Sequence, residues 1–100
     1  MSDPLMEELR VRFRETTRVR LHEMHALLDA LERGSRDADS VEKLLRHFHA
    51  LAGLGATYGY PRVSALGDEG EGLFVHDAAP DARTLQRWRE LMSEVERQLC

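Results

Sequence analysis

Met6, Leu9, Phe13, Thr17, Leu21, Met24, Leu28 and Leu31 recur at intervals of three or four residues. A series that long and that regular fits one amphipathic helix and nothing shorter. The spacing predicts a helix over residues 4–33. Asp3-Pro4 opens it, since proline suits a first helical turn, and Gly34-Ser35 closes it, since glycine takes the left-handed conformation that ends helices. Such a helix cannot hide its apolar stripe alone, so the rest of the chain must supply partners.

Three further segments do so. With Asp39-Ser40 read as an N-cap and Glu42 in the first turn, Val41, Leu44, Leu45, Phe48, Leu51, Ala52, Gly55 and Tyr58 define a helix over 39–58, stopped by Gly59. Tyr60-Pro61 opens a third over 61–75, with Val63, Leu66, Gly70 and Phe74 facing inward. Gly67, Gly70 and Gly72 together remove roughly 3 kcal/mol of helix preference, which predicts a short, broken or mobile helix there. Pro80-Asp81 begins a fourth over 80–99, with a narrow seam of Leu85, Trp88, Met92, Val95 and Leu99. Short breaks favour antiparallel neighbours. The expected fold is therefore all-α, an antiparallel up-down-up-down four-helix bundle, and 100 residues suffice for one core and one domain over 1–100.

Several function classes fall away. A net charge of −4 argues against a general nucleic-acid binder. Arg10, Arg12, Arg14, Arg18 and Arg20 are interleaved with acids and read as a solvated helix face. The only cysteine is Cys100, so no internal disulfide forms and a reducing, cytoplasmic setting is expected. No run approaches the roughly 18 apolar residues of a membrane span, and the first residues are acidic, so no membrane association is expected. A glycine-rich phosphate loop with its lysine is missing, which predicts no ATPase or kinase activity. No Ser sits in a nucleophile-elbow context.

The histidines remain: His22, His25, His47, His49 and His76. His22 and His25 are one turn apart, but no Glu stands three residues before any His as in dinuclear helical bundles. They read as surface or boundary residues, and no metal is expected. His49 is set apart by its helical neighbours. Ala52, Gly53 and Ala56, three, four and seven positions on, leave little bulk over its ring. Glycine inside a helix costs roughly 1 kcal/mol relative to alanine, and clearance for an incoming group is a physical reason to bear it at Gly53. His47 lies about 200 degrees around the same helix. An accessible imidazole, with its ordinary pKa near 6.5, is mostly neutral at cytosolic pH and carries a lone pair for attack on phosphorus.

His49-Ala50-Leu51-Ala52-Gly53, with Gly59-Tyr60-Pro61 at the next junction and Val63, Leu66 and Glu71 beyond it, resembles the His-x-Leu-(Lys or Ala)-Gly signature of histidine phosphotransfer (HPt) domains. The resemblance covers essentially the whole chain in length and helix order. It implies a phosphorelay protein in which His49 is the phosphoacceptor, Gly53 the clearance residue and Gly59 the junction glycine. The implied partner is the receiver domain of a response regulator or hybrid histidine kinase. No cofactor is implied on this chain, and Mg2+ is expected in the receiver only. Many members carry lysine where Ala52 stands, so one phosphate-attracting charge is missing here. In some members a polar group from a neighbouring helix holds the other ring nitrogen; no residue of this sequence identifies itself for that role. Lys43, Arg46 and Arg62 each admit two readings, charge beside the phosphoryl group or simple surface solvation. The alternative to phosphotransfer is a non-catalytic helical adaptor that binds receivers or kinases.

Overall fold

The Asp3 carboxylate accepts the Leu5 backbone N–H at 2.9 Å, Pro4 fills the first turn, and from that cap α1 runs Pro4–Glu32. It ends where expected, with Gly34 at φ 97°. The computed structural model describes residues 3–35, 37–76 and 78–100. The later helices are α2 (Ala38–Leu54), α3 (Pro61–Gly72) and α4 (Ala82–Gln98), with a short 3-10 turn at Ala56–Tyr58. Among the described residues there is no strand.

Each helix packs on the next and α4 returns to α1, closing an antiparallel four-helix bundle about 48 Å long and 20 Å across. Leu21, Met24 and Leu28 meet Leu44, Phe48 and Leu51 in the core. Val63 and Leu66 from α3 and Trp88, Leu91, Met92 and Val95 from α4 complete it. At one end Phe13 stacks against Tyr58 and Tyr60, with ring centroids 5.3 and 5.4 Å away.

The boundaries of the middle helices differ from the sequence expectation, each for a local reason. The cap of α2 is Asp37 rather than Asp39-Ser40: its carboxylate accepts the Asp39 N–H at 3.0 Å and the Ser40 hydroxyl at 3.3 Å, so the helix begins earlier. It also stops at Leu54, short of residue 58. Gly55 lies so close to α3 that a β-carbon on it would stand 2.7 Å from Ser64 N and 2.8 Å from Tyr60 O. The Ser64 hydroxyl accepts the Ala56 N–H at 2.7 Å, the chain tightens into the 3-10 turn, and Gly59 at φ 88° ends it.

Helix α3 is shorter than 61–75, ending at Gly72, but it is unbroken. Two of the glycines expected to disrupt it are contact points. A β-carbon at Gly67 would stand 2.5 Å from Ala52 N and 2.6 Å from Phe48 O, and one at Gly70 would run into the Phe48 ring. Their lost helix preference is offset by the close seating of α3 on α2. At the far end the buried Trp88 indole donates to Gly70 O at 2.8 Å, satisfying one of the last carbonyls of α3.

Candidate functional site

The close seating of α3 determines what stands beside His49. With Gly67 and Gly70 pressed against Ala52 and Phe48, the next outward position on α3, Glu71, falls opposite the His49 ring. Its Oε2 lies 2.8 Å from His49 Nδ1. A carboxylate only accepts, so Nδ1 carries a proton, and in the neutral ring that leaves the lone pair on Nε2. The His49 side chain is 76% exposed, so Nε2 belongs to an imidazole held on one edge and open to solvent on the other.

The three small residues near His49 differ in their surroundings. A β-carbon at Gly53 would meet nothing within 4 Å, so the space one turn beyond His49 is empty. Ala52 is half-buried against α3, and Ala56 is exposed in the 3-10 turn.

Each of the three cations has an acidic partner. Arg46 donates to Glu42 at 2.6 Å and Lys43 reaches Asp39 at 3.1 Å, both along α2. Arg62 donates to Glu94 of α4 at 3.0 Å and lies nine positions before Glu71 on α3, about 13 Å along the axis. The structure therefore does not bring Arg62 to His49.

The other histidines have different surroundings. His47 is turned toward α1, with its side chain only 15% exposed. Arg20 Nη1 donates to its Nδ1 at 2.9 Å, and its Nε2 donates to Glu23 Oε2 at 3.0 Å. Burial pushes this imidazole below its ordinary pKa; the Glu23 carboxylate pulls up, and the Arg20 charge adds to the lowering. His25 pairs with Glu96 at 2.6 Å, His22 is exposed, and His76 meets the Phe74 ring edge-on. Among the described residues no three His, Cys, Asp or Glu side chains group closely enough to hold a metal ion, and no helix is long and apolar enough to cross a membrane.

Glu71 is the residue that the sequence alone did not assign to a role. One signal was available. An acid in the last turn of a helix opposes the partial negative charge of that terminus, so Glu71 stands where helix stability disfavours it.

A family model described as Hpt domain matches residues 8–98. No curated protein and no solved structure matches the chain.

Proposed function

Because this chain belongs to the Hpt domain family, the phosphotransfer domains of two-component systems, we propose that it carries a phosphoryl group on His49 to or from an aspartate of a receiver domain. The observation that carries the reading is the exposed His49 ring with its Nδ1 bonded to Glu71. The Nε2 lone pair forms the N–P bond as the P–O bond to the partner's aspartate breaks, and that electron pair leaves on the aspartate carboxylate. The ring keeps its Nδ1 proton, and Glu71 stabilises the positive charge that develops on it. Transfer onward reverses the same bonds onto an aspartate.

Gly53 and Ala56 act by being small, leaving room for an in-line approach to Nε2. Arg46 and Lys43, on the same helix, lend only what charge their pairing with Glu42 and Asp39 leaves. The partner is the receiver domain of a response regulator or hybrid histidine kinase, which brings the Mg2+ and the carboxylate cluster, so this chain needs neither nucleotide nor cofactor. The reaction is a cytoplasmic one.

Incubation of the protein with a phosphorylated receiver tests this directly. Acid-labile, base-stable phosphate should appear on the chain and map to His49. Tight binding of the receiver with no labelling would replace phosphotransfer with the adaptor reading.

A further inference from the structure

Lys and Arg are distributed unevenly along this chain. It contains 14 of them, yet from His47 to Ala82 the only one is Arg62. That stretch supplies the acceptor half of α2, the whole of α3 and the loop after it. Arg62 is engaged with Glu94 on the α4 side. The nearest cations on the near side, Arg46 and Lys43, are each engaged with an acid one turn away.

Arg46 stands one turn before His49 but beside Glu42, and the other groups that flank the ring are negative or neutral. Glu71 holds the ring. Asp68, one turn earlier on α3, is exposed and has no salt-bridge partner among the described residues. The C-terminus of α3 adds its own partial negative charge. The positions following His49 on its own face are Ala52 and Gly53, and neither can reach a phosphoryl oxygen.

A phosphoryl group adds about −1.5 to −2 charges. On His49 it therefore stands beside carboxylates, and among the described residues the nearest cations, Arg46 and Lys43, are each balanced by an acid. Resting on the phosphotransfer reading above, we infer that the His49 site has no net counter-charge of its own, so that its partner is a receiver with a basic rim. Lys or Arg of that rim meets the phosphoryl oxygens together with Asp68 and Glu71. Two consequences follow from one cause. The phosphorylated site favours giving the group away, and it selects partners by charge as well as by shape.

The experiment uses a receiver domain that labels His49. The ratio of phospho-His49 to phospho-aspartate is measured at equilibrium, approached from both sides, for the wild type, Ala52→Lys and Asp68→Lys, with melting curves to show that each variant is folded. A cation at position 52, one turn from the ring, should shift the ratio toward His49 by about three- to tenfold, the range expected of a partly exposed charge pair. Asp68→Lys should shift it the same way by a smaller factor and weaken receiver binding several-fold, most strongly at low salt. Asp68 is fully on the surface, so its variant tests the idea even if lysine at the half-buried position 52 disturbs packing. Robust labelling of His49 with a ratio unchanged in both folded variants, or receiver binding strengthened by Asp68→Lys, would overturn the counter-charge inference and leave phosphotransfer standing. Failure of any phosphorylated receiver to label His49 would overturn the reading on which it rests.

Discussion

Two imidazoles lie two residues apart on α2 and are held in opposite ways. His47 is gripped at both nitrogens by α1, Arg20 on one side and Glu23 on the other, and is largely shielded from water. His49 is gripped at one nitrogen by α3 and open at the other. The difference comes from rotation around a single helix, since a step of two residues carries a side chain to the far face. A histidine with both nitrogens occupied ties helices together. One with a single nitrogen occupied is oriented and still able to react.

The widest expected contrast comes from removing each ring in turn. His49→Gln should abolish labelling by a phosphorylated receiver, whereas His47→Gln should keep most of it, with quantitative phosphate incorporation as the readout. Labelling that survives His49→Gln would erase the distinction between the two faces. Next in size is Gly53→Leu. The new β-carbon meets nothing within 4 Å and leucine is the better helix former by roughly 0.8–1 kcal/mol, so the melting temperature should hold or rise. The leucine would nonetheless lean back over His49, and transfer should slow tenfold or more. Unimpaired transfer in a folded Gly53→Leu protein would show that open space is not what distinguishes the His49 face.

Loss of the Glu71 carboxylate should cost less than loss of space. Glu71→Ala removes a charge-assisted hydrogen bond to the His49 ring, with an expected effect of about ten- to a hundredfold on rate. Glu71→Gln keeps an acceptor and should recover part of it. Equal rates in all three proteins would mean that orientation at Nδ1 does not matter. The smallest effect concerns His47 and appears in stability. Its folded pKa lies below the ordinary imidazole value of 6.5, so the unfolded chain takes up the proton first as pH falls. The stability due to neutral His47 is therefore present above 6.5 and lost as pH drops through the folded value. Denaturant unfolding from neutral to mildly acidic pH should show a shallower loss in His47→Gln than in the wild type, with about 1 kcal/mol less stability at neutral pH. A steeper loss in the variant would contradict the buried, neutral assignment.

Much of this was legible in the sequence because it is local. The α1 stripe, the Asp3-Pro4 start, Gly34, the Gly59-Tyr60-Pro61 junction and the small residues after His49 act within one or two turns. What escaped depends on how helices meet. Gly67 and Gly70 read as weaknesses of α3 because their value lies in contact with Ala52 and Phe48 of another helix. The end of α2 was placed too late because Ser64, on α3, takes the Ala56 N–H. Glu71 lies 22 residues from His49, and only the seating of α3 brings them together.

Trp88 gives the molecule an optical channel into the same site. It is the only tryptophan, its ring centroid lies 6.2 Å from that of Phe48, which immediately precedes His49, and its indole N–H is fastened to the carbonyl immediately preceding Glu71. Emission from this indole is therefore that of a fluorophore in a dry, rigid setting with one fixed hydrogen bond. Any partner that pulls the last turn of α3 away from the core breaks that bond and admits water, so the emission shifts to longer wavelength without an added dye.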